Sequence, residues 1–93
     1  MKVLDAGCGP GIVTEALAPY VHEIIAYDLT PKMVEAARIR CENAGLCNVD
    51  YKTGMIESLP YENEYFDRVV SRLVVHHLPE PTKGFREIYK VLK

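Results

Sequence analysis

Val3-Leu4-Asp5-Ala6-Gly7-Cys8-Gly9-Pro10-Gly11 is the stretch on which the reading of this chain turns. An apolar run with one acid in it passes directly into a turn that has glycine at every second position. Glycine lacks the Cβ that would clash in a sharp turn or against a closely approaching ligand. The next apolar run, Glu23-Ile24-Ile25-Ala26-Tyr27, ends on Asp28. A carboxylate at a strand tip can accept hydrogen bonds from both hydroxyls of a ribose. Strand, glycine turn, helix, strand and terminal acid is the order in which an α/β fold builds a nucleoside-cofactor site.

Outward from this stretch, strands and helices alternate with short connections, which predicts a parallel sheet covered by helices. Residues 2–5 are the first strand and Ile12–Leu17 a helix, stopped by Pro19. The second strand is 23–27. Thr30 then stands as an N-cap with Pro31 at the first helical position. The helix that follows carries Met33, Ala36, Ala37, Cys41 and Ala44 at helical spacing, and Gly45 ends it. Asn48–Lys52 is a short third strand, residues 54–65 a loop containing Pro60, and Phe66–Ser71 a fourth strand. A last helix starts near Pro81 with Phe85, Ile88, Tyr89 and Leu92 on one face. Right-handed crossovers place these strands in the order 3-2-1-4, a partial doubly wound sheet. The order reverses between strands one and four, and ligands bind there at the carboxyl ends. The glycine loop, Asp28, residues 54–56 and Ser71-Arg72 all fall at that edge.

Composition narrows the functional classes. Ninety-three residues allow one domain, 1–93, and 48% apolar content is ordinary for a globular chain. Eleven basic and thirteen acidic residues leave a net charge of −2, with no basic block for nucleic acid or an anionic membrane. No apolar run approaches the ~20 residues of a membrane span, and Met1-Lys2-Val3-Leu4 enters a strand with no signal peptide before it. Cys8, Cys41 and Cys47 are odd in number and lack metal-site spacing, so free thiols, a reducing cytoplasmic setting and no metal site are expected. The adjacent His76 and His77 point in different directions on any regular element and read as packing residues rather than a metal pair. Tyr51, Tyr61 and Tyr65 also read as packing, and His22, Glu57, Glu62 and Glu64 as solvated.

The dinucleotide fingerprint G-x-G-x-x-G requires a third glycine where this chain has Ile12. Asp5 would also repel a pyrophosphate, whereas it suits a ligand carrying an amine or a positive charge. The pattern Asp5-x-Gly7-x-Gly9-x-Gly11 resembles motif I of the class I S-adenosylmethionine-dependent methyltransferases. Tyr27–Met33 resembles the segment after their second strand. Gly54–Tyr61 with Phe66-Asp67 is similar to their adenine loop and fourth strand, and His76-His77-Leu78 with Arg86–Lys93 extends the likeness over nearly the whole chain. The branch it resembles includes the ubiquinone and menaquinone biosynthesis methyltransferases.

The resemblance implies a Rossmann-like three-layer αβα fold and S-adenosylmethionine as cofactor, with S-adenosylhomocysteine as product and a small-molecule methyl acceptor. By the same resemblance Gly7, Gly9 and Gly11 cradle the methionine moiety and Asp5 orients its amino group. Asp28 holds the ribose, Leu29 and Met33 pack on the adenosine, Ile56 packs on the adenine, and Ser71 or Arg72 borders the methionine end. No catalytic side chain is implied, because the sulfonium already activates the methyl and proximity does the rest. Met55 stands where the family usually has an acid for the adenine amino group, a lost hydrogen bond of about 0.5–1.5 kcal/mol. The resemblance also implies further strands beyond the fourth, so the chain reads as an incomplete domain, with a valine-rich fourth strand left as an open edge. A homodimer covering that edge is expected. The alternatives are a module that binds cofactor without transferring methyl, a fragment that binds nothing, and, more remotely, a nicotinamide or flavin oxidoreductase.

Overall fold

The computed structural model describes residues 1–55, 59–62, 64–71 and 90–91. Four parallel strands, β1 (Lys2–Ala6), β2 (Glu23–Asp28), β3 (Val49–Thr53) and β4 (Arg68–Ser71), form one sheet in the order β3-β2-β1-β4. The expected topology is therefore the observed one. Register is fixed by Val3 opposite both Ile24 and Arg68, and by Ile24 opposite Val49. The two central strands are buried on both faces, in keeping with their mainly apolar runs, in which Asp5 is the one buried acid.

Successive side chains of a strand point to opposite faces, and the core divides accordingly. Leu4, Ala6, Ile25 and Tyr27 pack with Leu59, Phe66 and Val91 on one side. On the other, Val3 and Ile24 pack with Ala18, while Ala26 packs with Val34 and Ala37. Helices α1 (Ile12–Leu17) and α2 (Pro31–Asn43) cover that second side. Helical residues Lys90 and Val91 lie on the first, where the carbonyls of Lys90 and Val91 accept from the N–H groups of Glu64 and Phe66. The rest of the helix expected from Pro81, with Phe85, Ile88, Tyr89 and Leu92, lies outside the described residues, as do His76, His77 and Glu57.

Local chemistry explains the boundaries and corrects several of them. α1 ends at Leu17 as expected, and the chain continues into a 3-10 turn, Ala18–Tyr20, with Pro19 in its first turn, where a missing N–H is harmless. α2 begins at Pro31 after Thr30, but the Thr30 side chain makes no capping bond. The Asp28 carboxylate accepts the Thr30 N–H instead, at 3.0 Å. At the other end Gly45 takes φ +75°, and the N–H groups of Gly45 and Leu46 return to the carbonyls of Glu42 and Cys41. That is a Schellman closure, which favours glycine. The buried stripe of α2 is Val34, Ala37 and Cys41, so Met33 and Ala44 face outward, contrary to the periodic reading. The stripe is phased by Ala37, the small residue against which the glycine loop packs.

The three cysteines are free thiols; Cys8 and Cys41 are buried and Cys47 is exposed. Tyr61 and Tyr65 pack on Phe66 with ring centroids 4.9 Å apart, as expected of packing residues. Lys2 Nζ lies 4.4 Å from the Tyr65 ring centroid.

Candidate functional site

The end of β1 is held to the end of β2 by main-chain bonds. The Tyr27 carbonyl accepts from the N–H groups of both Gly7 (2.7 Å) and Cys8 (3.0 Å). One residue further along each strand, the Gly9 N–H donates to Asp28 Oδ2 at 2.9 Å. The turn then closes through the Gly11 N–H to the Cys8 carbonyl at 3.1 Å. Gly7, Gly9 and Gly11 all have positive φ, at +83°, +54° and +90°.

These glycines do different work. A Cβ on Gly9 would meet nothing within 4 Å, so this residue fronts open space. A Cβ on Gly11 would stand 2.7 Å from Ala37 Cα and 2.8 Å from its Cβ. Gly11 is thus turned toward α2 and allows the loop to approach that helix, while Gly7 and Gly9 border a cleft. The cleft has a volume of about 210 Å³ and is lined by Asp5, Gly7, Cys8, Gly9, Pro10, Ile12 and Val13. Among the described residues its lining contains one acid and no Lys or Arg.

Asp5 is only 2% exposed, and its Oδ2 accepts a hydrogen bond from the fully buried Thr14 hydroxyl at 2.5 Å. Beside it, the Cys8 thiol is pushed up to about 12 by burial first and by the negative charges of Asp5 and Asp28 second. A thiol held protonated by burial is a poor nucleophile at neutral pH. Among the described residues no three His, Cys, Asp or Glu side chains form a metal-binding group.

Asp28 ends β2 with both carboxylate oxygens engaged, Oδ2 by Gly9 and Oδ1 by Thr30. A carboxylate offers about four acceptor positions, so two donors leave capacity for a diol. Around this acid the apolar side chains stand out of the core: Leu29 is 60% exposed, Met55 47% and Met33 37%. Gly54 adjoins on the β3 side, its N–H donating to the Asp28 carbonyl at 3.0 Å, and the Tyr27 hydroxyl donates to the Met55 carbonyl at 2.9 Å. Ser71 is the last residue of β4, in register with Ala6. Ile56 and Arg72 lie outside the described residues.

The structure therefore gathers Asp5, Gly7, Gly9, Asp28, Leu29, Met33, Met55 and the Ser71 backbone at the carboxyl edge of the sheet, and sets Gly11, in the same loop, against Ala37 of α2. Thr14 and Tyr27 belong to the same edge and were missed as site residues. Their partners are nine and twenty-eight positions away, beyond any local motif.

Comparison with known proteins gives a consistent result. The chain is 40% identical over 92 residues to a Bacillus subtilis protein described as the uncharacterized methyltransferase YcgJ, covering 99% of this chain and 36% of that one. The crystal structure of YcgJ superposes with a TM-score of 0.96, covering 99% of this chain and 39% of that one. A ubiquinone biosynthesis O-methyltransferase of Xanthomonas euvesicatoria is 36% identical, covering 99% of this chain and 38% of the relative. A SAM-dependent methyltransferase structure from Aquifex aeolicus has a TM-score of 0.91 at 29% identity, covering all of this chain and 51% of that one. The chain spans less than two-fifths of the length of these two curated relatives. Residues 4–93 match the family described as the methyltransferase domain, and the chain belongs to that family.

Proposed function

We propose that residues 1–93 form the cofactor-holding part of an S-adenosylmethionine-dependent methyltransferase acting on a small-molecule acceptor. The observation that carries this reading is the cleft that holds Asp5 and, among the described residues, no Lys or Arg, next to Asp28 at the strand edge. Among the described residues a pyrophosphate would find an anion there and no countercharge. A ligand with an ammonium, a sulfonium and a ribose finds a matching donor set, and Gly9 leaves it room.

In this reading Gly7 and Gly9 face the methionine moiety and Asp5 its ammonium. Asp28 accepts from the ribose hydroxyls, and Leu29, Met33 and Met55 flank the nucleoside. Ile56 would meet the base, and Ser71 and Arg72 the methionine end. When bound, the cofactor supplies a methyl group already activated by positive sulfur. The residues here bind and orient it, and holding an acceptor close to that methyl supplies the rate. The fold itself does not fix the acceptor.

Retention of cofactor without transfer is the second reading, favoured by the size of the cleft. About 210 Å³ is below the ~300–1,000 Å³ usual for ligand sites, so this cleft leaves no room for an acceptor beside the cofactor. A further part of the proposal is self-association as a homodimer through β4, whose Val69 and Val70 are half-buried and which pairs with β1 among the described strands. A sedimenting monomer at tens of micromolar would refute it. The free thiols suit a reducing compartment such as the cytoplasm.

Calorimetric titration with S-adenosylhomocysteine and with NAD tests the cofactor assignment. Binding of the first that collapses in Asp28→Ala, with no NAD binding, is expected; the reverse preference would overturn it. Transfer of labelled methyl groups to cell-extract small molecules separates the enzyme from the binding module.

A further inference from the structure

Tyr27 is the penultimate residue of β2 and is 1% exposed, packed among Leu4, Ile25, Leu59, Phe66 and Val91. An aromatic ring fills that space without a hydroxyl. Burying a hydroxyl is unfavourable unless it is hydrogen-bonded, so its partner shows what it does. It donates to the Met55 carbonyl at 2.9 Å, while the Tyr27 carbonyl holds the N–H groups of Gly7 and Cys8. One residue thus joins the glycine loop through its main chain and the 54–55 segment through its side chain.

Gly54 is fitted to this arrangement. Its φ is not in the left-handed region, so glycine is not needed there for backbone conformation. It is needed for room: a Cβ would stand 2.8 Å from Tyr27 Cζ and closer still to the hydroxyl. With the Gly54 N–H on the Asp28 carbonyl, the segment is held level with the acid. We propose that Tyr27 is a positioning residue whose hydroxyl fixes the Gly54–Met55 backbone beside Asp28, so that the ends of β2 and β3 form one wall for the nucleoside half of the ligand. The proposal rests on the cofactor reading above.

The test compares the unsubstituted protein with Tyr27→Phe, Gly54→Ala and the double variant. The probes are S-adenosylhomocysteine and 5′-methylthioadenosine, which shares the nucleoside and lacks the amino-acid end, with thermal unfolding measured in parallel. Loss of one hydrogen bond predicts that Tyr27→Phe weakens both ligands by the same factor, about threefold to tenfold. Gly54→Ala should weaken binding more when Tyr27 is present than when Phe occupies the position, because the nearest obstruction, the hydroxyl, is then gone and only ring carbons, the nearest at 2.8 Å, remain. Unchanged affinity of Tyr27→Phe for both probes, with only a lower unfolding midpoint, would overturn the proposal and leave the cofactor reading intact. Equal effects of Gly54→Ala in the two backgrounds would also overturn it. No binding of either probe by the unsubstituted protein would overturn the cofactor reading and this proposal with it.

Discussion

Two alanine substitutions in one loop should separate folding from binding. Gly11 sits at φ +90°, and its added Cβ would stand 2.7 Å from Ala37 Cα in α2. Holding an L-residue in the left-handed region costs about 1–2 kcal/mol. Overpacking against a backbone atom that has no rotamer escape adds about 1–3 kcal/mol. Gly11→Ala should therefore lose about 2–5 kcal/mol, a large share of the roughly 5–15 kcal/mol that holds a domain folded. At about 4–8 °C per kcal/mol for a domain of this size, the unfolding midpoint falls by at least about 8 °C. Gly9 sits at φ +54°, inside the small allowed left-handed region, and its added Cβ meets nothing. Gly9→Ala should lose only about 1–2 kcal/mol of stability. Its methyl, however, enters the space that the proposed function gives to the methionine moiety, and on that reading affinity for S-adenosylhomocysteine should fall at least about tenfold, or roughly 1.4 kcal/mol. Thermal unfolding and calorimetric titration of both variants measure the two effects. A Gly11→Ala protein as stable as its parent, or a Gly9→Ala protein with undiminished affinity, would refute the division of labour.

Asp28→Ala removes the acceptor of both the Gly9 and Thr30 N–H groups; with charge-assisted bonds worth about 1.5–3 kcal/mol each, titration should show cofactor binding abolished and denaturant unfolding a measurable loss of stability. Thr14→Val deprives the buried Asp5 of its hydroxyl donor and should destabilise by about 1–3 kcal/mol, with Thr14→Ser restoring most of it in urea unfolding. A thiol reagent at pH 8 should modify exposed Cys47 quickly, and buried Cys8 and Cys41 only after denaturant is added. Cys8 has its folded-state value near 12, above the ordinary 9.0, so its contribution is intact below pH 9 and is lost as pH rises toward 12. Cys8→Ala should flatten part of the alkaline fall in stability seen by thermal unfolding across that window.

The strand order and the position of the glycine loop were legible because they depend on local signals. Alternating apolar runs, Gly7 to Gly11, Thr30-Pro31 and Gly45 each act within a few residues of themselves. The phase of α2 was not legible from hydropathy, since Ala36, Ala37 and Ala44 look alike in sequence. What distinguishes Ala37 is its contact with Gly11, a partner in another element. The same reason hid the packing role of Gly11, which motif spacing groups with Gly7 and Gly9. Asp28 was legible as a strand-end acid, but its double hold on Gly9 and Thr30 depends on how the β1 and β2 loops converge. Tyr27 reads in sequence as one more strand residue, and only the folded chain sets its hydroxyl against residue 55.

The most direct measurement is a crystal structure of the protein grown with S-adenosylhomocysteine. The ribose hydroxyls should lie within hydrogen-bonding distance of the Asp28 carboxylate, with the amino-acid end in the Asp5–Gly9 cleft and the base over Gly54–Met55. Ligand density elsewhere, or a ribose that leaves Asp28 bonded to Gly9 and Thr30 alone, would contradict the assignment of this sheet edge as the cofactor site.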